Sequence, residues 1–241
     1  MQVVLLAAGL GSRLGALTER MPKALIPVAD EPLLSHAVRF ARRMQPSEIV
    51  VVGGFCFAEV AAEARRQRLE VTLVENRAFT DGNLISLLEA RALVKGDFLV
   101  MNVDHIYRPA VAERVGATAT EITAFVDEDR KLGPDDMKVA RDQHGHVSRI
   151  SKTLTDFDCG YVGMTRIPAG EGERYWATAD TVLATEGRAV HVERILARLA
   201  ESQSPPACRD ISGIGWLEVD FKDERDQADA VLRASAPGDW R

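Results

Sequence analysis

"LLAAGLGSRLG", Leu5 to Gly15, joins an apolar run to two closely spaced glycines and an arginine. The run begins at Gln2, is rich in Val and Leu, and stops at Gly9. A continuous apolar segment of this length, bounded by glycine, predicts a strand buried on both faces, which is the signature of a parallel sheet. A glycine-rich turn directly after such a strand lets backbone N–H groups approach a phosphate closely, because no Cβ stands in the way.

Outward from this turn, strand and helix patterns alternate. From Leu33 to Met44, apolar Leu34, Ala37, Val38, Ala41 and Met44 recur at helical spacing with Arg39, Arg42 and Arg43 between them, which predicts an amphipathic helix. Strand then follows over 48–52, helix over 58–68, strand over 71–74, helix over 84–94 and strand over 98–103. Such alternation implies crossover units and a largely parallel sheet. After residue 120 the pattern changes to shorter β-like pieces at 122–126, 137–140, 147–150 and 160–164, with turn residues between them. Helical patterns return at 192–201 and 224–233. No internal repeat or low-complexity tract interrupts the chain, and Ser202 to Pro206 is too short to mark a domain boundary. The expectation is one α/β domain over 1–241, with a nucleotide-binding half at 1–120 and a β-rich acceptor-binding half at 121–241.

Composition narrows the function classes. The 241 residues carry 30 Lys and Arg against 36 Asp and Glu, a formal charge of -6. That balance lacks the basic footprint of a nucleic-acid partner. Three cysteines without CxxC spacing, Cys56, Cys159 and Cys208, argue against a disulfide framework or a zinc knuckle and suit a reducing cytoplasm. The apolar run at 49–58 falls well short of the ~20 residues of a membrane span, and Met1 to Ala8 lacks the basic start of a signal peptide. The chain reads as soluble and cytoplasmic, with its oligomeric state open.

The glycine loop departs from the two commonest phosphate motifs. A dinucleotide fingerprint needs GxGxxG, and Leu14 stands where the third glycine belongs; a P-loop needs a Gly-Lys-Ser/Thr run, which this loop lacks. In its place the chain carries Arg13 and, ten residues on, Pro22-Lys23, two cations able to face a polyphosphate from one loop. Asp104, directly after the apolar strand of "FLVMNVDHIY", falls in the crevice where open α/β sheets bind ligands. Asp220 in "GWLEVDF" ends a second apolar strand, before a helix that Asp223 could cap. In "DQHGHV", Gly145 between two β-like runs predicts a hairpin turn rather than metal ligation by His144 and His146.

Taken whole, "LAAGLGSRLG" followed by "MPKALIPVADEPLL" resembles the signature of the MobA-like, GT-A-like nucleotidyltransferases that join a nucleoside triphosphate to a sugar or alcohol phosphate. The resemblance implies a Rossmann-like (GT-A-like) mixed, mainly parallel sheet flanked by helices, with a smaller β-rich acceptor-binding part. It implies catalytic roles for Arg13 and Lys23, and a nucleotide site at Leu6, Ala7, Ala8, Gly9, Gly11 and Ser12. It also implies Mg²⁺ on Asp104 and Asp220. Mg²⁺ typically takes one or two protein carboxylates and completes its shell with phosphate oxygens and waters. In "VSRISKTLTDFDCGYVGM", Lys152 occupies the place where relatives hold the acceptor phosphate, with Asp158 beside it. "ENRAFTDGNLISLLEA" is similar to the cytidylyltransferase loop that reads the base, here Gly82, Asn83 and Ser86; Asn83 is equally suited to a plain N-cap.

"VDHIY", "ISKTLTDFDCGYVGM" and "WLEVDF" together look like the cytidylyltransferases that convert CTP and inositol 1-phosphate to CDP-inositol for phospholipid synthesis. Ser151, Glu218 and Phe221 depart from that pattern, where glycine, aspartate and threonine are usual. Related enzymes for phosphocholine or 2-aminoethylphosphonate would need an anionic or aromatic cage for a cationic head, and no aromatic cluster stands out. A sugar-1-phosphate nucleotidyltransferase and a non-catalytic nucleotide sensor on the same fold are the remaining alternatives. Retention of Arg13, Lys23, Asp104 and Asp220 favours the enzyme.

Overall fold

A computed structural model describes residues 1–236 and 238–240. In chain order the strands and α-helices are β1 (Gln2–Ala7), β2 (Pro27–Val28), β3 (Glu31–Pro32), α1 (Leu33–Arg43), β4 (Glu48–Gly53), α2 (Phe57–Arg66), β5 (Thr72–Glu75) and α3 (Asn83–Ala90). They continue with β6 (Phe98–Asn102), β7 (His105–Tyr107), α4 (Val111–Gly116), β8 (Thr123–Asp127), β9 (Lys138–Arg141), β10 (Val147–Ser151) and β11 (Cys159–Ile167). The last are α5 (Gly172–Glu186), α6 (Glu193–Ala200), β12 (Ala207–Asp210), β13 (Trp216–Glu218) and α7 (Lys222–Ala234).

One nine-stranded sheet organises both halves of the chain, running β10-β9-β11-β6-β1-β4-β5, with β8 on β11 and β12 on β8. β1 lies parallel to β4 on one side and to β6 on the other, so the strand order reverses at β1. β11 joins antiparallel to β6, which makes the sheet mixed, as expected. Every residue of β1 is buried, and alternate side chains serve opposite faces, as the two-residue period of a strand requires. Val4 and Leu6 pack in a cluster with residues of α3, α5 and α6. Val3, Leu5 and Ala7 pack with residues of α1, α2 and α4. The helices therefore cover both faces, which is why the strand is apolar throughout.

Each element expected from periodicity is present within a few residues of its expected bounds. α5 is the substantial element that the pattern did not bring out. Its buried face is Tyr175, Trp176, Ala179 and Val182, but Thr178, Thr181 and Thr185 interleave it, and each hydroxyl donates back to the carbonyl four residues earlier. Such β-branched residues weaken the helical signal that the apolar stripe carries. The turn at Asp142–His146 forms as expected, with Gly145 at φ 82° and the Asp142 carboxylate accepting from the amides of His144 and His146. The three cysteines are free thiols, and burial pushes those of Cys159 and Cys208 up to about 12, which leaves both protonated at neutral pH.

Candidate active site

A cleft opens at the carboxyl ends of β1 and β6, where open α/β sheets bind ligands at the reversal of strand order. Its lining includes Leu6 to Arg13, Lys23, Gly82, Asn83, Ser86, Asp104, Lys152 and Asp220. Residues from both ends of the sequence thus converge on one site.

The glycine loop is held by its own backbone geometry. Gly11 is left-handed at φ 67°, and a Cβ there would lie 2.9 Å from Lys23 Cβ; only glycine lets the loop and the lysine approach this closely. Leu14, standing where a dinucleotide fingerprint has its third glycine, is buried and packs with Ile26, Val28, Leu33 and Val219. A core side chain therefore anchors the underside of the loop, and a short 3₁₀ segment at Ser12–Thr18 replaces the long helix of a dinucleotide fold.

Lys23 is buried at the cleft floor, with its Nζ donating to Asp104 Oδ2 at 2.6 Å and to Asp220 Oδ1. Burial alone would lower its pKa, but the two aspartates outweigh it and hold the ammonium above its ordinary value. Arg13 donates to the other Asp220 oxygen at 2.5 Å, and its guanidinium lies 5.6 Å over the Phe221 ring. The threonine-to-phenylalanine departure is thereby explained as a platform for Arg13. Glu224 orients Asp220 by accepting from the amides of Asp220 and Phe221. This corrects the expected role of Asp223: the capping carboxylate is Glu224, because an N3 side chain reaches back to the N-cap amide.

His105 was not among the expected residues. It is buried beside Asp104, with Nδ1 2.7 Å from Asp104 Oδ1 and Nε2 3.7 Å from Glu218 Oε1. Its ring is stacked on Trp216 and Tyr107. Burial works to lower its pKa, yet Asp104 and Glu218 raise it overall. Asp104 lies well below the carboxylate range, since Lys23 and His105 together outweigh the burial that would raise it. Glu218 is raised by burial despite His105 and Arg130, and Arg130 pairs with it at 2.9 Å while covering Trp216. The aspartate-to-glutamate departure at 218 thus supplies the reach that links His105 to Arg130. The sequence signal was present, a histidine directly after the strand-end aspartate, but its partners at 130 and 218 are remote in sequence.

In the cleft lining, Ser86 Oγ accepts from Asn76 Nδ2 at 2.9 Å, and Asn76 is fully buried. Asn83 is not an N-cap. Gly82 occupies that position, and Asn83 Oδ1 accepts from the Val192 amide at 2.7 Å, tying α3 to the start of α6. Gly82 is required there, because a Cβ would meet the Val190 carbonyl oxygen at 1.8 Å. The Lys152 carbonyl accepts from the buried Lys138 ammonium at 2.8 Å, which also binds the Gly133 carbonyl. Lys138 therefore braces the turn that presents Lys152. Asp158 does not join them. It is absent from the cleft lining, and its carboxylate accepts from the Arg141 amide at 2.6 Å; the Asp158-Cys159 turn points its acid at the neighbouring strand.

Residues 3–154 match the model of the MobA-like NTP transferase domain. The chain belongs to that nucleotidyltransferase family. It is 26% identical over 238 residues to the "Bifunctional IPC transferase and DIPP synthase" of Aquifex aeolicus, covering 97% of this chain and 52% of that protein. It is 29% identical over 264 residues to the "CMP-5'-(3-aminopropyl)phosphonate synthase" of Streptomyces rubellomurinus, covering 98% of this chain and 39% of that protein. The chain thus spans about half or less of the length of these relatives. Its fold is that of the inositol-1-phosphate CTP transferase from T. maritima, with a TM-score of 0.83 at 16% identity and 98% of each chain covered. Among the described residues no helix is long and apolar enough to cross a membrane.

Proposed function

We propose that this family member transfers a cytidylyl group from CTP to inositol 1-phosphate or a similar polyol phosphate, releasing pyrophosphate. The observation that carries the reading is the convergence of the glycine loop, Arg13, Lys23, Asp104, Asp220 and Lys152 on one cleft. A phosphate oxygen of the acceptor attacks the α-phosphorus, and the bond to the bridging oxygen of the leaving pyrophosphate breaks in line. A phosphate monoester is already largely dianionic at neutral pH, with a second pKa of about 6, so the nucleophile needs no general base. Positioning and charge stabilisation then account for the rate.

Arg13 and Lys23 face the triphosphate, and Lys152 orients the incoming phosphate. Among the described residues no group of three or more His, Cys, Asp and Glu forms a metal cluster. Two carboxylates suffice for Mg²⁺ when phosphates complete its shell. Asp104 and Asp220 both reach one ammonium, so they converge on a point suited to a cation. When bound there, Mg²⁺ would neutralise charge developing on the phosphates. Gly82, Asn83 and Ser86, where the loop enters α3, are the candidate readers of cytosine.

A second reading rests on the relative whose name specifies an aminopropylphosphonate: the same chemistry on an amine-bearing acceptor. Pyrophosphate release from protein, Mg²⁺ and CTP with inositol 1-phosphate, phosphocholine and 2-aminoethylphosphonate in turn separates the two. Release with none of these acceptors, nor with any other phosphate, would leave a nucleotide-binding sensor.

A further inference from the structure

The cleft lining also includes Asp135, Asp136, Tyr161, His191 and Glu193. Their engagements differ. Asp135 is exposed. Asp136 is committed to the Gly133 amide and to Arg130, and the Tyr161 hydroxyl to Thr165. Glu193, at the first turn of α6, is 9% exposed. Among the described residues no ion pair holds its carboxylate; burial raises its pKa, while its own amide, His191 and Lys152 pull the other way. A carboxylate in the cleft wall that no side-chain ion pair engages can accept hydrogen bonds from the donors of a ligand.

We infer that Glu193 reads the acceptor's head, accepting hydrogen bonds from hydroxyl groups next to the phosphorylated carbon of a polyol phosphate. This rests on the transferase reading above. The aromatic lining of the cleft favours hydroxyls over an ammonium. The aromatic residues of the cleft besides His105 and His191 are Phe79 and Tyr161, which is too few faces for a cation cage. The position of Glu193 is set from the nucleotide side, since the preceding amide, that of Val192, is held by Asn83.

The test compares inositol 1-phosphate with ethyl phosphate, which offers the same nucleophile without hydroxyls. Glu193→Ala is expected to lower kcat/KM for inositol 1-phosphate about ten- to a hundredfold, the scale of a lost charge-assisted hydrogen bond. Turnover of ethyl phosphate and the KM for CTP should stay within about twofold, and Glu193→Gln should recover part of the loss. A merely structural role would depress both acceptors equally, and that outcome, or no loss with either, overturns the inference while leaving the transferase reading intact. Failure of the reading shows instead in the unmodified protein: a wild type that uses only amine-bearing acceptors overturns both.

Discussion

The Lys23 ammonium and the Asp104 carboxylate meet at 2.6 Å on the cleft floor, and the same ammonium reaches Asp220. One lysine thus holds together two acids from distant parts of the chain. Lys23→Met leaves them facing each other with Arg13 and His105 as their remaining partners. Removing one partner of a largely buried pair costs about 3 kcal/mol, the low end of the range because both acids retain some solvent. The variant should melt several degrees lower without divalent cations, and Mg²⁺ should raise its Tm more than that of the wild type. An equal Mg²⁺ response in the two proteins would separate Lys23 from the cation site. In turnover, Lys23→Ala should reduce kcat far more than nucleotide affinity, because charge on the leaving pyrophosphate grows as the bond breaks.

Asp104→Asn and Asp220→Asn should each abolish Mg²⁺-dependent turnover with the fold retained. Their stability effects should differ. Asp104 accepts from both Lys23 and the buried His105, whereas Asp220 pairs with Lys23 and the half-exposed Arg13; Asp104→Asn should therefore melt lower. Calorimetry of both variants beside a Mg²⁺ titration of activity tests this, and wild-type activity at low Mg²⁺ in either variant removes that residue from the metal site.

Lys152→Ala should leave CTP affinity nearly unchanged while raising the acceptor KM and lowering kcat, because the lysine both binds the nucleophile and aligns it. A loss of about ten- to a hundredfold in kcat/KM for the acceptor is the scale of one charge-assisted contact. Lys152→Arg should rescue in part, since a planar fork replaces a compact charge. Steady-state kinetics with each substrate varied in turn decides it; weaker CTP binding with an unchanged acceptor KM would be the contrary result.

Glu193 carries a signature in stability as well. Its folded carboxyl is raised by burial, so it keeps its proton at a pH where the unfolded chain has released one. The stability tied to that proton is full below the ordinary carboxylate range and is lost as pH rises through the folded value. Glu193→Gln cannot ionise. The variant should gain in Tm relative to the wild type as pH rises from the ordinary carboxylate range to neutrality, a trade of stability against function. A Tm difference independent of pH would show that the carboxylate titrates normally in the folded protein.

The sheet, the glycine turn and the strand-end Asp104 were legible from sequence because each depends on neighbours within a few residues. The apolar run of β1 reports burial on both faces, and a turn after it needs glycine regardless of what lies elsewhere. α5 was obscured for an equally local reason, its threonines masking an aromatic stripe.

The sequence by itself determined the alternation of strands and helices, the loop carrying Arg13 and Lys23, and the presence of acids at 104 and 220, since periodicity and turn chemistry are short-range. Only the tertiary structure decided which of these groups meet. It set Lys23 between the two aspartates, drew His105 into a chain with Glu218 and Arg130, turned Asp158 away to the Arg141 amide, and made Asn83 a brace for α6 rather than a cap. The physical reason is common to all four: the partners lie 17 to 197 positions apart. Their distances are fixed by strand order and by burial of apolar faces, which no local pattern encodes.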